Sequence, residues 1–283
     1  GAVGQVVREG AVLEALLLPH VTESIELADR FRKGRSTLTA LQTINDHVTK
    51  NLNIKKPVHR TVSVAIDLSR AFDTVDHQQL LEDIQALPLN GHIKKFLCSY
   101  LRGRQTYVIF RNTKSKYRVV RQGVPQGGVL SPLLFNLYMS KMPLPPGNIK
   151  LVSYADDSNV LKSGPVIEPL VEDLNSYLNV LDEWFKSRNL FISPSKSSAT
   201  LFTTASAEVS TVLQIKIDGE LVPSVKKPKF LGITFVNLLS FGQQTLDLKS
   251  RIQSKNNILK ACSYECLNII EFLINVGNHV MFH

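Results

Sequence analysis

The chain has 283 residues, of which 43% are hydrophobic and 20% charged, with a formal net charge of +9. Its size and apolar content exclude a disordered tail or a small disulfide-framed module, and allow one large domain or a few closely packed subdomains. The positive excess points to a polyanionic partner, because Lys and Arg that neutralise phosphates release counterions whatever the sequence. Three cysteines suit a reducing compartment, nucleus or cytoplasm. The apolar run at residues 11–18 is too short for a membrane span and lacks the flanks of a signal peptide, so no membrane partner is expected. The chain opens on Gly1 and stops at His283, as a piece of a longer protein would.

In chain order, residues 11–56 read as helical, broken by a basic cluster, with Ser36 or Thr37 placed to cap the second part. Residues 61–67 alternate, with Val62, Val64 and Ile66 on one face, and predict a half-buried strand ending on Asp67. Ile93, Phe96, Leu97, Tyr100 and Leu101 keep helical spacing and predict an amphipathic helix. Residues 107–121 read as a basic hairpin. Ser131 and Pro132 read as a cap and first helical position, with an apolar helix following through Met139. Residues 151–154 and 159–161 predict two strands joined by a turn that carries Asp156 and Asp157. Leu170, Leu174, Leu178, Leu181 and Phe185 mark a long helix, and a strand follows near residues 199–202. Asp218-Gly219 signals a hairpin, and residues 230–235 a last strand. This order predicts an α+β fold with helices packed on one face of a sheet, rather than a doubly wound parallel sheet.

The chemistry rests on carboxylates at predicted strand ends. Asp67 ends one strand, while Asp156 and Asp157 lie at a hairpin tip far along the chain. If the strands are neighbours, three acids meet at one place. Hard oxygen donors without nearby His or Cys suit Mg2+ better than zinc. Taken singly, each acid is an ordinary strand end or turn former.

Three blocks make the pattern specific. AIDLSRAFD at residues 65–73, QGVPQGGVLSPLLFN at 122–136 and YADD at 154–157 resemble, in order and approximate spacing, the catalytic blocks of reverse transcriptases. The resemblance runs from about residue 11 to 260 and is nearest to jockey-like non-LTR retrotransposon enzymes. Group II intron and telomerase-type polymerases share the chemistry, but the LSPLLFN run and FRKGRST at residues 31–37 favour the non-LTR branch.

The resemblance implies a right-hand polymerase palm, an antiparallel sheet backed by helices. It divides the chain into partial fingers (1–60), palm with interleaved fingers elements (61–235) and an incomplete thumb or divergent tail (236–283). It also implies roles: Asp67, Asp156 and Asp157 as catalytic and metal-holding residues, with the Leu68 backbone completing a site for two Mg2+ ions, for which Mn2+ can substitute. Arg70, Ala71, Phe72, Gln126, Gly127 and Lys196 would meet the nucleotide, Phe72 as the residue beneath the incoming sugar and Lys196 as an acid near the departing pyrophosphate. Phe230, Leu231 and Gly232 would grip the primer. Arg32, Lys33, Arg35, Arg104, Arg111 and Arg121 would contact nucleic-acid phosphates. The implied partners are an RNA template, a DNA primer and dNTP.

Two features depart from the pattern. Asp29, Arg30 and Gly128 replace residues usual in the family, and the chain begins after the fingers strand that clamps the triphosphate. A remnant that binds nucleic acid without polymerising is therefore the rival expectation. At the C-terminus, Cys262, Cys266, His279 and His283 have zinc-finger spacing, but the stretch between them is apolar and without basic residues. A truncated thumb helix accounts for it more simply, so zinc is not expected.

Overall fold

A computed structural model of the protein describes residues 36–128 and 130–235. The first helix, α1 (Thr37–Leu52), starts on a reciprocal capping box: the Ser36 hydroxyl accepts from the Thr39 amide, and Thr39 Oγ1 accepts from the Ser36 amide at 2.9 Å. Ala40, Ile44, Val48 and Leu52 recur every four residues and form its buried stripe. It stops four residues short of the expected helix end, because Pro57 favours extended backbone at the residue before it.

Strand β1 (Arg60–Ile66) leads to a short helical turn, α2 (Ala71–Thr74), and then to α3 (His77–Ala86), capped by Asp76 Oδ1 on the Gln79 amide at 2.9 Å. In α4 (Gly91–Leu101), the buried stripe is Leu97, Cys98 and Leu101. Phe96, expected on that stripe, is exposed, and Cys98 takes the inward position.

Residues 105–119 form one bent hairpin. β2 (Gln105–Thr106) pairs with β5 (Arg118–Val119), and β3 (Ile109–Phe110) pairs with β4 (Thr113–Lys114). Arg111 and Asn112 turn its tip with positive φ, the type I′ geometry that matches strand twist.

Helix α5 (Ser131–Met139) is apolar and buried almost throughout. Ser131 is its first helical residue rather than its cap. The hydroxyl donates instead to the Pro125 carbonyl and ties the preceding glycine-rich loop to the helix. Strands β6 (Lys150–Tyr154) and β7 (Asp157–Gly164) form a tight hairpin, followed by α6 (Ile167–Ser187) and β8 (Ser198–Phe202). In α6 all five predicted apolar positions are buried, joined by Tyr177 and Asp182. β9 (Lys216–Ile217) and β10 (Glu220–Leu221) turn at Asp218-Gly219 as the dipeptide predicts. Residues 230–235 are not one strand: Leu231 and Gly232 take positive φ, and the chain folds back as β11 (Lys229–Phe230) and β12 (Ile233–Thr234).

The central sheet has the order β6-β7-β1-β8, antiparallel throughout. Its register places Val64 beside Val160 and Ala199, so Val62, Val64, Ile66, Val160 and Leu201 face one core shared with α3, α5 and α6. The opposite face was expected to be open. It is instead covered by α1, whose apolar stripe packs with Val152, Leu161 and Phe202, so β1 is buried on both sides.

A polar ladder runs through that second layer. His47 Nε2 lies 3.0 Å from Ser163 Oγ, which is 2.7 Å from Thr61 Oγ1, and Ser63 Oγ donates to Asn159 Oδ1 at 2.7 Å. Burial, then the nearby charges of Lys150 and Lys50, hold the His47 imidazole below its usual value. The folded state therefore favours neutral His47 more than the unfolded chain does, and this contribution is complete above the unfolded value near 6.5 and declines as pH falls through it. Denaturant unfolding at pH 7.5 and 5.0 should show this loss, with a shallower dependence in His47→Gln. Among the described residues, no helix is long and apolar enough to cross a membrane.

Candidate active site

The register of β1 on β7 ends with Ile66 opposite Ser158, and one further step brings Asp67 alongside Asp157. Asp157 itself pairs with Tyr154, so Ala155 and Asp156 are the two-residue turn of the β6–β7 hairpin. Ala155 has φ +60, a conformation that a residue with a side chain rarely adopts, and the strain is held by the ladder on either side. Asp67, Asp156 and Asp157 are each half-buried at this end of the sheet. The register thus brings the backbone of the three predicted acids to the same end of the sheet. Among the described residues, no three His, Cys, Asp or Glu side chains gather closely enough to hold a metal ion.

Asp67 is fixed from the other side by residues 191–197. Its amide donates to Ser197 Oγ at 3.1 Å, and its carbonyl accepts from the Ser193 amide at 2.8 Å. Leu68 bridges Ile192, with the hydrogen bonds made by flanking residues, so its carbonyl faces away from that segment, on the β7 side. Lys196 stands exposed on this clamping turn, whose Ser193 carbonyl accepts from the Lys196 amide at 3.2 Å.

Beyond Asp67 the chain bends at Arg70, which is exposed with φ 51, into α2. Ala71 is buried, and the Phe72 ring stacks on Phe135 of α5 with centroids 4.4 Å apart and planes 22° from parallel. The glycine-rich loop runs alongside α2. The Val124 amide donates to the Phe72 carbonyl at 2.8 Å, the Gly123 amide to the Val75 carbonyl at 2.8 Å, and Gln126 Nε2 to Asp73 Oδ1 at 3.0 Å. Gly127 turns with φ +79 before the helix. The two sequence blocks that carry Phe72 and Gln126 therefore form one zipped unit.

Gly123 makes this approach possible, since a Cβ there would lie 2.7 Å from the Asp73 carbonyl oxygen and φ is +83. Gly123→Ala should lower stability by about 1–3 kcal/mol, from backbone strain and overpacking. It should also loosen the Gln126–Asp73 and Val124–Phe72 contacts that zip the two segments together. Denaturant midpoints and amide hydrogen exchange across residues 122–128 read the two effects separately.

The Phe230–Gly232 turn belongs to the other layer. Phe230 is buried with the α1 stripe, and Leu231 packs on the same cluster as Tyr154, two residues before Asp156. Arg104 lies at the base of the basic hairpin, its guanidinium 5.0 Å from the Tyr100 ring centroid. Arg111 is exposed at the tip, and Arg121 is exposed just past β5. Arg32, Lys33, Arg35, Asp29, Arg30 and the Cys262, Cys266, His279, His283 set lie outside the described residues. Sequence reasoning did not single out Phe135, the Asp73 tether or the Ser193–Ser197 clamp. Phe135 sits in a motif read only as apolar, and the other two arise from contacts distant in sequence.

An antiparallel four-stranded sheet with acids at two adjoining strand ends and helices behind it is a right-hand polymerase palm. The chain belongs to the family described as Reverse transcriptase (RNA-dependent DNA polymerase), which it matches over residues 11–235. It is 33% identical over 222 residues to the probable RNA-directed DNA polymerase from transposon BS of Drosophila melanogaster, covering 75% of this chain and 24% of that one. It is 28% identical over 270 residues to the RNA-directed DNA polymerase from mobile element jockey of Drosophila funebris, covering 89% and 29%. The chain thus spans about a quarter of the length of these relatives. The non-LTR branch expected from the motifs is the one these relatives represent. In fold the chain is similar to telomerase from Candida albicans, in complex with a fragment of telomeric RNA, with TM-score 0.58 at 14% identity over 84% of this chain and 37% of that one. Telomerase from Candida tropicalis gives TM-score 0.54 over 81% and 36%.

Proposed function

We propose that this chain is the core of an RNA-directed DNA polymerase of a non-LTR retrotransposon, extending a DNA primer along an RNA template with dNTP in the nucleus or cytoplasm. The observation that supports this reading is the strand register, which closes on Ile66 opposite Ser158, one residue short of Asp67 and Asp157, with Asp156 on the adjoining turn. Residues 1–60 then supply part of the fingers, 61–235 the palm with interleaved fingers elements, and 236–283 an incomplete thumb or divergent tail.

The acids fit a divalent cation in donor chemistry and in the end of the sheet at which the backbone places them. Asp67, Asp156, Asp157 and the Leu68 carbonyl would hold two Mg2+ ions, with Mn2+ as substitute. When bound, such ions favour the deprotonated primer 3′-hydroxyl and neutralise triphosphate charge. The remaining work falls to the chain itself. Phe72, backed by Phe135, supports the sugar and crowds a ribose 2′-hydroxyl, beside the buried Ala71. Gln126, tethered to Asp73, and Gly127 line the nucleotide with backbone that no side chain obstructs. Arg70 meets the triphosphate. Lys196, on the turn clamped to Asp67, donates a proton to the leaving pyrophosphate. The Phe230–Gly232 turn supports the primer end. Arg104, Arg111 and Arg121 line the path of nucleic-acid phosphates.

Extension of a DNA primer annealed to an RNA template tests the proposal. Template-dependent product from the purified chain is expected. No product, with primer–template binding retained, would identify the rival: a palm that binds nucleic acid without polymerising.

A further inference from the structure

The positive charge is not spread evenly. Between Ile84 and Ala155 the sequence has eleven Lys and Arg and no Asp or Glu, although the whole chain carries only +9. The β2–β5 hairpin stands in the middle of this stretch and presents three aromatic rings to solvent: Tyr107 is 38%, Tyr117 59% and Phe110 69% exposed. Its cations rest on those rings. Lys114 Nζ lies 4.1 Å from the Tyr107 centroid and 5.5 Å from that of Tyr117, and the Arg111 guanidinium is 5.3 Å from the Phe110 centroid. Tyr107 and Tyr117 meet edge to face at 5.0 Å.

A protein partner of ordinary composition would bury the rings but leave the cations without counter-charges. A polynucleotide strand satisfies both, offering a π-face and a phosphate with each residue. Bases inside a duplex have their faces covered, so an unpaired strand fits best. The hairpin also grows from the shoulder of the candidate site. Its base is closed by the Val120 amide on the Arg104 carbonyl at 2.9 Å, and Arg104 lies on Tyr100, whose hydroxyl sits 2.8 Å from where a Cβ of Gly128 would be.

We infer that this hairpin is a stacking platform for a single-stranded polynucleotide, with bases on Tyr107, Phe110 and Tyr117 and phosphates on Arg111, Lys114 and Lys116. The inference rests on the nucleic-acid part of the reading above and assigns it a strand state. Recognition here is tolerant of sequence, because stacking requires only a base face.

Fluorescence anisotropy tests it, using a single-stranded RNA, the DNA of the same sequence and a blunt duplex, each across a salt series. Tyr107→Ala, Phe110→Ala and Tyr117→Ala should each weaken single-strand binding about fivefold or more, the effect of losing one stacked base. They should leave duplex binding and the salt slope unchanged, and Tyr107→Phe and Tyr117→Phe should restore affinity. Lys116→Ala should instead reduce the slope for all three probes. Equal losses on RNA and DNA would assign the platform to either strand, and a loss on one alone would assign it to that strand. Unchanged single-strand affinity in all three alanine variants would overturn the inference, as would a drop in thermal midpoint at constant affinity, which would mean that the rings pack against protein. Either result alongside intact primer extension would leave the polymerase assignment standing.

Discussion

Under the proposed function, primer extension by the Asp156→Asn protein should fall by on the order of a thousand-fold or more, the scale on which charge stabilisation at a reacting centre acts. Asparagine keeps the size of aspartate and suits tight turns, so the β6–β7 hairpin and the strained Ala155 remain as they are. What is removed is one negative charge at the end of the sheet where the β1–β7 ladder closes on Ile66 and Ser158. Affinity for primer–template should stay within about a factor of two, because the substitution leaves the basic hairpin untouched. Single-turnover rates and anisotropy on the same preparations measure both. A rate near wild type would remove Asp156 from the chemistry.

The second large effect lies behind the site. Asp83 is buried and paired with the buried Arg188 and, at 2.8 Å, with Lys141. The Arg188 guanidinium lies 4.4 Å from the Tyr138 centroid, the Tyr138 hydroxyl donates to the Arg188 carbonyl, and the Asp76 amide reaches that hydroxyl at 3.3 Å. One polar cluster thus joins α3, α5 and the end of α6, the elements that support Phe72 and Phe135. Among the described residues Arg188 Nε makes no hydrogen bond, so this cation depends on Asp83. Asp83→Leu should destabilise the fold by about 3–5 kcal/mol, the usual consequence of leaving a buried charge unpaired. At roughly 2–4 °C per kcal/mol for a domain of this size, the thermal midpoint should drop by about 10 °C. Adding Arg188→Met should recover much of the loss, because removing both partners leaves no orphaned charge. A double variant no more stable than the single would contradict this account of the cluster.

The parts of this molecule that were legible in its sequence share a cause. Short-range patterns such as the leucine spacing of α6 and the Asp218-Gly219 turn are read by local physics and formed where expected, and β1 formed one residue earlier than its alternation predicts, ending on Ile66 rather than Asp67. The three acids were singled out because the motifs are specific together, and the strand register brings their backbones to one end of the sheet, which spacing alone left open. The misses came from packing. An alternating strand reads as covered on one face, and only the fold reveals that α1 closes the other. The Leu231-Gly232 turn was hidden because leucine seldom takes positive φ, so nothing local announces it. The tether from Gln126 to Asp73 spans 53 residues and leaves no periodic trace.

Under the proposed function, Asp67, Asp156 and Asp157 act as one divalent-cation site. Ferrous iron substituted for Mg2+, with ascorbate and peroxide, cuts the polypeptide only next to the bound ion and so locates it without reference to activity. Cleavage should map to two places together, around residues 67–68 and 154–157, and should fade with excess Mg2+ and in Asp156→Asn. Cuts confined to one of these places, or falling elsewhere in the chain, would contradict the account.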